Sequence, residues 1–519
     1  MLFPIIASAT LNVWPFFVLL ICVAVVIVSI SMLRLHPFLA LIMAAFLAGV
    51  IADELPADPK APEKGQLVRA VELTIDGFGK TAGGVAIIIG MATIIGMCLM
   101  ESGAADKVVR RFLAVCGNKP AGVSFAIVFS TYLLSIPIFF DSMFMLMIPI
   151  AVAMALRTGK DFTLYVLAIC AGGTITHALT IPHPGPIYMA ENLGIDPGLS
   201  IWVGIVVGAV PVFASWIFIQ FVNKWTPLPL REQASAPLAD AKSMIEKPES
   251  ELPSFMASLL PIILPIILIS CASVFEVIKT TEDRAIKDAV TAAATVGVAT
   301  PTEQVVPIEN WASALIQSMG GRESFMKIKD FVDFIGNKNI ALILGAALAV
   351  MLLRKQRKLS MSKIGPMMGS PLETGGVIIL ITAAGGAFGY MLGQAGVGTS
   401  LAMWAGSQDG INLVLLSFLV SMVFRIGQGS ATVAMQTASA MFIPLLPELP
   451  CHPMYVFLAI GFGATGFSWM NDSGFWVVSR LSGFTEKETF HTWSLNGTFI
   501  ALFGLLLTWV FSKVLPFAG

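Results

Sequence analysis

Long apolar runs alternate with short polar ones along almost the whole chain. Continuous runs occupy roughly 15–33, 36–52, 82–101, 199–223, 254–275, 331–353, 373–394 and 493–514, and two longer ones, 164–195 and 453–482, are interrupted. About 20 apolar residues carry a helix across hydrocarbon, so each run predicts one crossing. Two further apolar stretches, 122–157 and 411–446, have polar centres: Ile136-Pro137-Ile138-Phe139-Phe140-Asp141-Ser142 and Arg425-Ile426-Gly427-Gln428-Gly429-Ser430-Ala431-Thr432. Each half of these is too short to cross, and they read as re-entrant helical hairpins. The predicted fold class is an all-α polytopic membrane protein.

The polar segment 224–252 lacks apolar periodicity and reads as a solvated cytoplasmic linker dividing 1–223 from 253–519. These two parts repeat. GGVAIIIGMATIIGMCLMESGAA from Gly83 aligns with GGVIILITAAGGAFGYMLGQAGV from Gly375 after one inserted residue, placing Gly96 on Gly389 and Gly103 on Gly396. AICAGGTITHALTIPHPGP from Ala168 echoes AIGFGATGFSWMNDSGF from Ala459 in the same order, and a hairpin precedes each. Cytoplasmic loops collect Lys and Arg. The loop after the first repeated helix carries Lys107, Arg110, Arg111 and Lys119, whereas its counterpart from Gly396 carries none. The two loops are therefore expected on opposite faces, giving two inverted repeats of five crossings and one hairpin each. Arg354, Lys355, Arg357, Lys358 and Lys363 then mark the cytoplasmic side. Both termini and the mixed segment 276–338, read as a loop, fall outside.

Composition agrees with a lipid solvent, because 56% of residues are hydrophobic and 12% are charged, about half the charged share of a soluble domain. A formal net charge of −1 gives no field that would favour nucleic acid. The cysteines are scattered through apolar runs with no C-x-x-C pair, and no H-E-x-x-H, G-x-S-x-G or metal-spaced cluster occurs. No enzymatic role, cofactor or metal is expected. No Lys or Arg precedes Arg34, so the first run is expected to be retained as a span.

Charged groups at membrane depth cost about 2.5–3.5 kcal/mol on insertion scales, which singles out four places. Asp141 and Ser142 lie at the first hairpin turn, where either one caps the second half-helix or Asp141 handles a cation. In the first interrupted helix, Thr176, His177 and His183 flank or sit among Pro182, Pro184 and Pro186, which break the backbone ladder. His183 is a candidate proton carrier, and a structural role is the stronger reading of His177. In the second hairpin, Gln428, Ser430 and Thr432 supply donors beside a half-helix N-terminus, a place suited to a carboxylate. Arg425 there is read as neutralising a neighbouring acid or holding helix-end carbonyls. In the second interrupted helix, Asn471 and Ser473 are candidates for substrate hydroxyls, and Asp472 either binds a cation or caps. Glu101 reads as interfacial.

Taken together, GGVAIIIGMATIIGMCLMESGAA, IFFDSMFMLMIPI, HALTIPHPGP, RIGQGSATVAM and NDSGFWVVSRLSGFTEKETFHTW resemble the bacterial gluconate:H+ symporter family over nearly all the membrane portion. The resemblance implies a bacterial inner-membrane carrier that takes up gluconate or a related hydroxy acid with a proton. Some members instead take D-serine, and sodium coupling is the alternative. The family's motif positions fall on His183, Gln428, Ser430, Thr432, Asn471, Asp472 and Ser473, with Asp141, His183 and Asp472 as coupling candidates. Asp141 stands where the family pattern has Glu, Thr180 and Ile181 replace an expected second proline, and 276–338 is longer than usual. The expected partners are a small carboxylate, a proton, the bilayer and, as a candidate, a second copy in a homodimer.

Overall fold

The computed structural model describes residues 12–116, 119–231, 248–295, 311–400, 412–449, 451–470 and 472–515. Among these the chain is helical, without strands. In chain order the first half contains α1 (Trp14–Ser31), α2 (Pro37–Ile51), α3 (Gln66–Glu101), α4 (Ala104–Cys116), α5 (Pro120–Leu134), α6 (Phe140–Thr158), α7 (Phe162–Leu179), α8 (Pro184–Asn192) and α9 (Pro197–Trp225). The second half contains α10 (Phe255–Thr295), α11 (Trp311–Ser318), α12 (Arg322–Gly336), α13 (Lys338–Arg357), α14 (Met361–Met367), α15 (Gly369–Gln394), α16 (Leu413–Gln428), α17 (Ala431–Phe442), α18 (Pro453–Thr465), α19 (Ser473–Ser482), α20 (Glu486–Thr489) and α21 (Leu495–Val514).

Among the described residues, seven helical stretches are long and apolar enough to cross a membrane, including 162–192 and 486–514. α1 and α2 are shorter; the 15 residues of α2 rise only about 22 Å. Three boundaries differ from the hydropathy pattern. α3 starts at Gln66, sixteen residues before the apolar run, and its polar first turns are held by Glu72, which pairs with both Arg69 and Lys64. α10 runs on to Thr295 through the first part of the expected loop, since nothing from Ile266 to Thr295 is Gly or Pro. α11 and α12 fold back on it around Ile278, Ala312, Ile316 and Phe325, so the described part of 276–338 is a helical cap. The expected 331–353 span is divided at Asn337, whose side chain caps α13. The linker expected over 224–252 falls largely outside the described residues. Its described start is tied down, because Arg231 makes two hydrogen bonds to Glu488 and one to the Gly483 carbonyl.

Both hairpins and both helix breaks are present. α5 and α6 turn at Ser135–Phe139, and α16 and α17 turn at Gly429, a left-handed cap with φ +78. α7 and α8 are separated by Thr180–His183, with Pro184 at the first position of α8, where its missing N–H costs nothing. α18 stops at Gly466 and α19 begins after Asp472. The aligned glycines Gly172 and Gly463 do the same work in each half. A Cβ on Gly172 would overlap Thr131 and the Val128 carbonyl of α5, and one on Gly463 would overlap the Phe418 carbonyl of α16. In each half, glycine lets the broken helix lie directly on the first limb of its hairpin.

Candidate functional site

Four half-helices start near the middle of the molecule, at Phe140, Pro184, Ala431 and Ser473. The first turn of any helix carries N–H groups with no intrahelical acceptor. α17 is capped by Ser430, whose hydroxyl accepts from the Val433 amide at 3.4 Å, and α19 by Asp472, which accepts from the Gly474 amide at 3.0 Å. Between these ends lies a cavity of about 400 Å³. Its wall includes Phe139, Phe140 and Asp141 from the first hairpin, Thr174, His177 and Pro184 from the first broken helix, and Arg425, Gly429, Ser430, Ala431 and Thr432 from the second hairpin. Thr465, Asp472, Ser473 and Gly474 from the second broken helix complete it, with Trp493. Ile30, His36 and Pro37 extend the wall to the α1–α2 turn, and Ile378 and Ile381 of α15 add an apolar side.

The two acids on this wall differ. Asp141 is exposed to the cavity, and no Lys, Arg or His among the described residues lies within ion-pair distance of it. Asp472 is 7% exposed and held by the Arg425 guanidinium, the Ser468 hydroxyl and the Gly474 amide. Arg425, 5% exposed, also donates to the Gly429 carbonyl at the end of α16. It thus serves both roles expected of it, neutralising an acid and satisfying a helix-end carbonyl. Ser468 is itself fixed, accepting from Trp493 Nε1 at 2.7 Å while its carbonyl accepts from Ser494.

Of the residues singled out from the sequence, Asp141, Ser430, Thr432, Asp472 and Ser473 are brought together on one wall. Thr176 and His183 are not on it. Thr176 is fully buried, and its hydroxyl reaches only the Gly173 carbonyl at 3.4 Å. His183 Nε2 lies 2.6 Å from the Ser135 carbonyl, an inter-element bond that ties the first break to the first hairpin turn. His177 is on the wall instead, its ring 4.8 Å from that of His183. Helical spacing explains the exchange. Thr174, His177 and Ala178 share one stripe at i, i+3 and i+4, and Thr176 lies off it. Asn471 and the Gln428 side chain lie outside the described residues. His36 and Trp493 come from elements outside the four interruptions, and Thr465, at the end of α18 in the second broken helix, lies ahead of its polar break; the sequence reading singled out none of the three.

An all-helical bundle with paired hairpins and broken helices around a cavity that mixes apolar walls with a few polar side chains is that of a multi-pass membrane transporter, which in bacteria sits in the inner membrane. The chain belongs to the GntP family of permeases, whose pattern it matches over residues 14–514. It is similar to a gluconate permease of Pseudomonas aeruginosa, with 29% identity over 501 residues that make up 96% of this chain and 97% of that one. A D-serine transporter of Escherichia coli, DsdX, is equally similar, with 29% identity over 492 residues, 94% of this chain and 96% of the other. Among solved structures, the YdaH transporter of Alcanivorax borkumensis, described as having an unusual topology, shares the fold. It superposes with a TM-score of 0.53 at 14% identity, over 92% of this chain and 98% of that one. This membership bears out the expectation of a transporter rather than an enzyme.

Proposed function

We propose that this permease imports gluconate, or a related small hydroxylated monocarboxylate, together with a proton, by alternating access between two inverted repeats. The observation that carries the reading is the convergence on a single cavity of half-helix N-termini and one acid, Asp141, that has no ion-pair partner among the described residues. The exposed amide ends at Ser430–Thr432 and at Ser473 receive the carboxylate, with the positive ends of α17 and α19 behind them. The hydroxyls of Thr432 and Ser473, and those of Thr174 and Thr465, face the substrate hydroxyls, with Gln428 and Asn471 adjoining them in sequence. Asp141 takes the proton. Neutralising it removes a like charge facing the anion, so proton and carboxylate favour one another's binding. Asp472 is compensated by Arg425 and holds the site together.

α13 runs from Lys338, paired with Glu191, to Arg357, which donates to the Glu101 carbonyl at 2.7 Å, so we read the Arg354–Lys358 end as cytoplasmic and the Lys338–Glu191 end as extracytoplasmic. The test is uptake of labelled gluconate by proteoliposomes under an inward proton gradient without Na+. Accumulation that an uncoupler abolishes supports the reading; accumulation that depends on Na+ and ignores the uncoupler sinks the proton. The similarity to a D-serine transporter supports D-serine as the second solute to try, its ammonium opposite Asp141.

A further inference from the structure

The cavity stops where α8 and α17 pack against α3 and α15, but its polar character continues past that point. Following the cavity-facing stripes one helical turn onward leads from Thr432 to Gln436 on α17, from Pro184 to Tyr188 on α8, and from Ile381 to Gly385 on α15. Gln436 is completely buried, and among the described residues neither its carboxamide oxygen nor its nitrogen has a hydrogen-bond partner. The hydroxyls of Thr437 on the same helix and Thr382, one turn before Gly385, are also buried without partners there. The Tyr188 hydroxyl meets the Gly386 carbonyl at a long 3.4 Å.

Such groups are costly to bury unpaired and are normally satisfied. Here they concentrate on one seam, facing glycines at which α15 carries no side chain. A Cβ on Gly385 would come within 2.7 Å of Gln436 Oε1, and one on Gly386 would overlap Thr81. Beyond the seam two contacts hold it shut: Asn192 donates to the Ser439 hydroxyl at 3.0 Å, and Lys338 pairs with Glu191.

We propose that Gln436, with Thr382, Thr437 and Tyr188, forms a second, uncharged subsite that hydrogen-bonds solute hydroxyls on the extracytoplasmic side of the cavity when the seam is open. It rests on the transport reading above. An uncharged set of donors and acceptors suits the hydroxylated end of a sugar acid, while the carboxylate keeps to the helix N-termini at Ser430 and Ser473. Parting of the Asn192–Ser439 and Lys338–Glu191 contacts admits solute and water, which supply the missing partners.

Two variants test this. Gln436→Leu removes the unpaired carboxamide, so its thermal midpoint stays at or above that of the parent, and a transport defect is then not a folding defect. Its maximal gluconate uptake falls at least ten-fold, and Gln436→Asn restores part of it. Thr437→Cys, in right-side-out vesicles, is modified by a small impermeant methanethiosulfonate added outside, read at the introduced thiol by mass spectrometry with the parent chain in parallel. A Thr437→Cys protein whose introduced thiol stays unmodified, or a Gln436→Leu protein that transports at the parent rate, overturns the subsite. If the parent carries no gluconate, the substrate reading fails by itself, and the labelling still decides whether the seam opens.

Discussion

In the first half of the molecule the hairpin turn presents Asp141, a carboxylate open to the cavity with no cation within ion-pair distance among the described residues. In the second half the helix break presents Asp472, a carboxylate buried against Arg425, Ser468 and the amide of Gly474. The framework around them is alike, down to Gly172 and Gly463 seating each broken helix on its hairpin. Similar local frameworks carry unequal electrostatics: one acid faces the cavity without an ion-pair partner among the described residues, and the other is bound to the guanidinium of a neighbouring element. Under the proton-symport proposal, a site with two free acids would oppose the anion, and one with none would have nothing to titrate.

The sharpest way to break this contrast is Arg425→Met, which leaves Asp472 buried without its counter-charge. Removing one partner of a buried pair costs about 3–5 kcal/mol. A large drop in the detergent thermal midpoint is expected, with much of it recovered in Arg425→Met/Asp472→Leu; a midpoint equal to the parent's would show that the pair is not structural. Next, Asp141→Asn should leave the thermal midpoint unchanged while abolishing uphill uptake driven by a proton gradient and sparing solute exchange. If gradient-driven accumulation survives in that variant, Asp141 is not the coupling acid.

Gly386→Ala probes the interface between α15 and α3. Its new methyl overlaps Thr81, and overpacking of this kind costs about 1–3 kcal/mol. Adding Thr81→Ala should return most of the lost thermal stability, and failure of that rescue would place the strain elsewhere. Arg231→Gln is expected to do least. The Arg231–Glu488 pair is partly exposed, with side-chain exposures of 33% and 21%, and such pairs contribute about 0–1 kcal/mol. A shift in midpoint as large as that of Arg425→Met would mean that the linker's anchorage matters to the whole bundle.

Several features were legible before any coordinates because they depend on residues near in sequence. Apolar run length marked the membrane helices, and the prolines around His183 marked the first break. The turn chemistry at Gly429-Ser430 marked the second hairpin, and the paired motifs aligned the glycines that carry equivalent packing. Helical continuation was harder to read. Polarity at Arg69 and Glu72, and along 276–295, resembles loop when solvent exposure is assumed, yet ion pairing and the lack of breakers keep both segments helical.

Hydropathy and broken-helix chemistry by themselves determined that this is a multi-pass helical membrane protein with two hairpins and two broken helices, because hydrogen-bonding demands inside a bilayer are local and severe. Only the tertiary structure decided which side chains share a wall. It turned His177 toward the cavity and fixed His183 to Ser135, paired Arg425 with Asp472 across 47 positions, and left Asp141 and Gln436 without partners among the described residues. Side-chain direction and long-range pairing depend on how helices are rotated against one another, and that rotation is set by packing between segments that no single stretch of sequence contains.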